Sequence, residues 1–72
     1  MYMKNYFTIF INGDPFNCHC SMSLSHILQY LDININNVII EYNNDIVNKM
    51  QFNSLLFKPR DSIEIITIVG GG

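Results

Sequence analysis

Two hydrophobic periods alternate along this chain, and a run of glycines follows the last of them. Residues 6–11 are β-branched and aromatic, which predicts a strand. Asn12-Gly13-Asp14-Pro15 is turn chemistry, and Asn-Gly is a strong hairpin signal. Residues 16–20 then read as a returning strand, with Phe16, Cys18 and Cys20 on one face by the two-residue period. Ser23 suits the N-cap of a short helix over 24–31. There Leu24, Ile27, Leu28 and Leu31 form one apolar stripe, while Ser25, His26 and Gln29 face outward. Residues 32–37 are polar apart from Ile33 and Ile35 and form a connection. Residues 38–42 predict a third strand, Asn43-Asn44-Asp45 a turn, and 46–47 a short strand. Residues 49–57 read as a loop with a helical turn, and Lys58-Pro59-Arg60-Asp61 as another turn. The last strand, 62–69, runs straight into Gly70-Gly71-Gly72.

The order β-β-α-β-(β)-β predicts an α+β fold with one main helix across one face of a mixed, four- to five-stranded sheet. The ubiquitin-like β-grasp is the common solution with that order. It divides the chain into a domain over 1–69 and a glycine tail over 70–72. In the last strand Ile63, Ile65, Thr67 and Val69 share one face, and Glu64, Ile66 and Ile68 the other. One helix covers only one face of the sheet. With Ile63 and Ile65 in the core, Ile66 and Ile68 are expected in solvent beside Glu64. Phe10, Ile39 and Glu41 share that outer face by the same alternation. Phe10, Ile39, Ile66 and Ile68 are therefore the expected partner patch.

Composition sharpens this picture. At 72 residues the chain is expected to bury only about 60% of its unfolded surface. Little interior remains for a deep active site, which counts against a self-sufficient enzyme. Hydrophobic residues make up 49% and charged residues 14%, yet no apolar run approaches the roughly 20 residues of a membrane span. The surplus is expected on the surface, where contiguous apolar patches mark partner sites. Net charge is −2, with three Lys and one Arg, so no basic cluster is present to neutralise phosphates or hold a membrane surface. Neither nucleic acid nor a membrane is an expected partner. Met1-Tyr2-Met3-Lys4-Asn5 resembles neither a signal nor a transit segment. Cys18 and Cys20 are too close to staple a fold, which suggests a reducing compartment. Richness in Ile, Asn, Tyr and Phe fits an AT-rich genome, bacterial or plastid. The expected location is cytoplasmic, or the plastid stroma.

Few residues invite catalytic chemistry. Cys18-His19-Cys20 has no second ligand pair for structural zinc, so Cys18 reads better as a small inward hydrophobe. Cys20 and His26 could be posed as nucleophile and base, but nothing in the pattern orients the histidine. No acid–base pair stands out among the carboxylates. No catalytic residue, metal site or bound cofactor is expected. The glycine end is different. Without Cβ atoms it can enter a narrow channel and adopt the backbone shape that the channel demands.

Residues 63–72, Ile-Glu-Ile-Ile-Thr-Ile-Val-Gly-Gly-Gly, resemble the C-terminus of the ThiS family, sulfur carriers of thiamine thiazole synthesis. So do Val-Ile-Ile-Glu-Tyr-Asn over 38–43 followed by Ile46-Val47, and the opening Ile-Phe-Ile-Asn-Gly over 9–13. The likeness covers nearly the whole chain after the first six residues. It departs at Asn48, where the family commonly has proline, and at Phe52, where it commonly has tryptophan. The resemblance implies a carrier, not an enzyme. A ThiF-like adenylating enzyme would use MgATP to activate the carboxylate of Gly72, presented through Gly71 and Gly70. A sulfur donor of the cysteine desulfurase type would convert it to a thiocarboxylate. A ThiG-like thiazole synthase would take the sulfur into the ring. Three rivals share the fold: the small subunit of molybdopterin synthase, a ubiquitin-like modifier, and a structural domain with an inert tail. Chain length and the Val-Gly-Gly-Gly ending favour the thiazole carrier over the molybdopterin subunit.

Overall fold

The structure, a computed structural model, describes residues 5–68. The described residues form strands β1 (Tyr6–Ile11), β2 (Asp14–His19), β3 (Val38–Tyr42), β4 (Asp45–Ile46) and β5 (Ser62–Thr67) and one α-helix, α1 (Leu24–Tyr30). The strands form a five-stranded sheet in the order β2-β1-β5-β3-β4. The pair β1–β5 is parallel and the other neighbours are antiparallel. This is the mixed β-grasp sheet expected from the order of elements.

Turn chemistry sets the strand boundaries. Asn12 and Gly13 have φ of 51° and 86°, the two left-handed residues that a tight hairpin needs. The returning strand therefore starts at Asp14, earlier than the expected 16–20. Pro15 is accommodated because β2 is an edge strand and its missing N–H is not needed there. The shift also corrects the position of Cys20. It lies past the strand and is exposed, while Cys18 is fully buried. Asn43 and Asn44, at φ 47° and 77°, make a second such hairpin and start β4 one residue before the expected 46–47.

Helix α1 begins with a reciprocal cap. The His26 N–H donates to Ser23 Oγ at 3.3 Å, and the Ser23 N–H donates to His26 Nδ1 at 3.0 Å. Histidine takes the part usually played by Glu or Gln in this box. His26 is exposed while Leu24, Ile27 and Leu28 are fully buried, as the helical phase requires. Leu31 departs from expectation. It is the C-cap and is 36% exposed. Asp32 adopts φ 59°, its N–H donates to Gln29 O at 3.0 Å, and the Ile33 N–H donates to Leu28 O at 2.9 Å. That is a Schellman closure, which favours contact between the residue after the turn and the last helical turn. Ile33 is therefore the residue that packs against the core.

The core joins Ile9, Cys18, Leu24, Ile27, Leu28, Ile40 and Ile63 with Val38, Val47, Phe52 and Phe57. Phe52 is 3% exposed, so phenylalanine serves as an interior anchor. Asn48 caps the short 3-10 turn Lys49–Gln51 through Oδ1, which accepts from the Met50 N–H at 2.9 Å. No helix among the described residues is long and apolar enough to cross a membrane.

Burial divides the two thiols. Burial, with smaller contributions from Cys20 and Asp61, pushes the Cys18 thiol up, so at neutral pH it is protonated and enclosed. Under native conditions a thiol reagent should label Cys20 quickly, and Cys18 only at the rate of global opening. Equal labelling rates would contradict the inward placement of Cys18. The Cys18→Ser, Cys20→Ser variant should lose some stability through a hydroxyl in the core.

Candidate functional site

The helix covers one face of the sheet, and the other carries the candidate site. On that outer face Ile39 of β3 lies directly opposite Ile66 of β5, and Glu41 opposite Glu64. Ile39, Ile66 and Ile68 are 39%, 43% and 44% exposed, although each is an isoleucine. The alternation expected from sequence holds: Ile63 is fully buried and Ile65 packs against the core. Ile68 lies just past β5, but its N–H donates to Asn37 O at 2.7 Å. That bond carries the ladder one step further along β3.

Not all of the expected patch is contiguous. Phe10 lies on the same face, half-buried, but its partner on β5 is Ser62. Ser62 is four residues before Ile66, which is about 13 Å of strand. The Glu41–Glu64 row intervenes. The structure thus groups Ile39, Ile66 and Ile68 and sets Phe10 apart. Val69, Gly70, Gly71 and Gly72 lie outside the described residues.

Two participants escape the sequence pattern. Ile46 lies opposite Glu41 across the β3–β4 hairpin and is 72% exposed. The Asn-Asn turn was the available signal, since it fixes this register. Asn12 also acts beyond its turn: its Oδ1 accepts from the Ile65 N–H at 2.7 Å, and its Nδ2 donates to Ile65 O at 3.4 Å. The side chain imitates a strand residue where β1 ends and aligns β5 just before Ile66.

The start of β5 is anchored by Asp61, which is 5% exposed. Its Oδ2 accepts from the Tyr42 hydroxyl and from the Lys58 N–H at 2.7 Å, and its Oδ1 accepts from Asn43 Nδ2 at 3.2 Å. Lys58 Nζ donates to the Tyr42 oxygen at 3.0 Å and lies 3.7 Å from Asp61 Oδ1. Burial pushes the Asp61 carboxyl up, but these donors and the Lys58 charge outweigh it and hold it below its ordinary value. Burial and the bond to Asp61 push the Tyr42 phenol up. These bonds fix structure: they tie the carboxylate of the turn before β5 to Tyr42 and Asn43 at the end of β3.

The structure does not set Cys20 and His26 up as a nucleophile and base. His26 Nδ1 is committed to the N–H of Ser23, so it is not poised as a base for Cys20. No group of three or more His, Cys, Asp or Glu residues could hold a metal ion among the described residues. The arrangement suits docking: an apolar outer face on a strand that precedes the glycines in sequence.

The profile of the ThiS family matches residues 9–72. The ycf40 protein of Porphyra purpurea is 46% identical over 65 residues, which covers 90% of this chain and 92% of that protein. A thiazole synthase of Magnetococcus marinus is 28% identical over 64 residues, 89% of this chain but 20% of that protein. The crystal structure of the thiamine biosynthesis protein (ThiS) from Geobacter metallireducens shares the fold with a TM-score of 0.77 at 23% identity, covering 92% of this chain and 100% of that one.

Proposed function

This chain belongs to the ThiS family, and from that membership we propose that it is a sulfur carrier for the thiazole ring of thiamine, acted on by enzymes rather than being one. The observation that carries the proposal is a family match that continues through the glycines to residue 72, in a chain whose exposed isoleucines cluster where β5 leads into them. The α-carboxylate of Gly72 attacks the α-phosphorus of MgATP on a ThiF-like enzyme, forming the acyl-adenylate and releasing pyrophosphate. The terminal sulfur of a persulfide on a cysteine desulfurase-type donor displaces AMP and forms an acyl disulfide. A thiol then attacks the donor-side sulfur, becoming a mixed disulfide with the donor and releasing the thiocarboxylate. A ThiG-like thiazole synthase takes the sulfur and returns the carboxylate. The likeness to part of a thiazole synthase supports this pathway over molybdopterin synthesis. The work is placed in the cytoplasm or the plastid stroma.

The decisive experiment combines the protein with the adenylating enzyme, MgATP and the sulfur donor. Intact mass should rise by one oxygen-for-sulfur exchange, located on the C-terminal fragment. No such exchange with an enzyme active on other carriers would sink the proposal. The docking face makes its own prediction. Ile66→Asp and Ile68→Asp should fold, because both positions are already exposed. Each should raise KM for the carrier roughly 30-fold, since a charge must be desolvated within an apolar contact worth about 2 kcal/mol. Unchanged adenylation by both variants would move the docking site elsewhere.

A further inference from the structure

The outer face holds a like-charge pair that no described residue neutralises. Glu41 and Glu64 lie directly opposite each other on adjacent strands, where side chains are about 4.5–5.5 Å apart and like charges repel. Glu41 is half-buried and Glu64 exposed. Among the described residues neither forms an ion pair: Lys58 is bound to Tyr42 and Asp61, Lys49 donates to Asn36, and Arg60 pairs with no carboxylate. The pair sits inside an apolar frame, with Ile39 and Ile66 as the next row and Ile46 beside Glu41.

Resting on the carrier reading for the identity of the partner, we propose that the adenylating enzyme docks by seating an arginine guanidinium over Glu41 and Glu64, within the frame of Ile39, Ile46 and Ile66. A partner that covers those isoleucines also removes water from the carboxylates between them. Two carboxylates without water or a counter-charge are strongly disfavoured, so a cover that lacked a cation would not stay bound. Charge complementarity therefore states what the partner must bring. The spacing favours a guanidinium over an ammonium. Its planar fork presents five donors, enough to serve carboxylates from both strands at once, whereas a lysine is a compact point charge. The same contact would screen the repulsion within the pair and fix the lateral position of β5 on the enzyme.

The test has two arms. In the first, N-acetyl-arginine amide is titrated into the isotope-labelled protein and followed by amide NMR, with the uncharged N-acetyl-citrulline amide as control. Saturable shifts are expected at Ile39, Glu41, Glu64 and Ile66 with arginine only, and they should vanish in the Glu41→Gln, Glu64→Gln double variant. Absent shifts, or equal shifts with citrulline, overturn the proposal. In the second arm the double variant is assayed with the adenylating enzyme. KM should rise at least about 30-fold at low salt, while Tm stays the same or increases because the repulsion is gone. Wild-type KM should climb with salt and the variant's should not. An unchanged KM at every salt concentration, with wild type adenylated normally, overturns the proposal and leaves the carrier function intact. Failure of wild type to be adenylated removes the function instead, and the first arm then decides the face alone.

Discussion

Removing Gly72, or adding one residue after it, should abolish adenylation while leaving the fold and Tm nearly unchanged. The reacting group proposed for this carrier is the α-carboxylate itself. Docking through Ile39, Ile66 and Ile68 would hold β5 at a fixed position on the enzyme, so the nucleotide lies at a fixed reach from that face. A carboxylate oxygen must come within roughly 3–3.5 Å of the α-phosphorus, and a misplacement of about 1 Å can cost on the order of 100-fold in rate. One residue of extended chain spans about 3.3–3.6 Å, well outside that tolerance. Gly71→Val should be nearly as severe, because a β-branched side chain restricts φ and adds bulk where a channel must close around the backbone. Among the described residues the fully buried side chains all lie between Ile9 and Ile63, so stability should change by no more than about 0.5 kcal/mol. ATP–pyrophosphate exchange with the adenylating enzyme is the assay. Wild-type exchange without Gly72 would show that this carboxylate is not the functional group.

How much of this was legible in the sequence depended on the range of the interaction. The helix phase followed from local periodicity, and His26 outside with Leu28 inside agrees with it. Face assignment along β5 was equally local. The failures came where a single backbone conformation redirected the chain. Leu31 completes the apolar stripe, but a left-handed Asp32, where glycine is the usual signal, turns Ile33 inward in its place. The sequence puts Cys20 on a strand face, because Asp14 and Pro15 are turn-type residues. The two-residue turn at Asn12 and Gly13 returns them to β2.

The candidate site shows the same division. Alternation says which residues share a face, but not how far apart they lie along it. Phe10 is displaced from Ile66 because the parallel register of β1 and β5 is set by contacts distant in sequence. The Phe10 N–H donates to Asp61 O at 2.8 Å, and the Arg60 N–H donates to Thr8 O at 2.7 Å. The clamp of Asn12 on Ile65 joins positions 53 residues apart, a separation beyond any sequence window. Ile46 becomes part of the face only once the β3–β4 pairing is known. The tail chemistry proposed here rests on resemblance to a family and on the nature of glycine, with no contribution from packing.

The largest loss of stability should follow Asp61→Ala. This carboxylate accepts hydrogen bonds from the Tyr42 hydroxyl, the Lys58 N–H and Asn43 Nδ2, and its own backbone oxygen receives the Phe10 N–H. It thereby links the turn before β5 to β3 and to β1. Truncation leaves three donors without their acceptor, each costing about 1–3 kcal/mol where water cannot replace it. Partial hydration of Lys58 and Asn43 limits the total to about 3 kcal/mol, which in a domain of this size lowers Tm by roughly 12–24 °C. The acid limb of the stability profile gives an independent signature. The native Asp61 carboxyl is held below its ordinary value of 3.8, so the unfolded state takes up the proton first as pH falls. Its contribution is fully present above about pH 4 and is lost as pH drops through the lower native value. Asp61→Asn keeps the shape of the side chain without the charge, so its stability should fall less steeply than wild type below pH 4. Thermal unfolding of all three proteins between pH 7 and pH 2 measures both effects. A Tm for Asp61→Ala within a few degrees of wild type at pH 7, or parallel acid limbs for wild type and Asp61→Asn, would show that this carboxylate does not hold β5 in register.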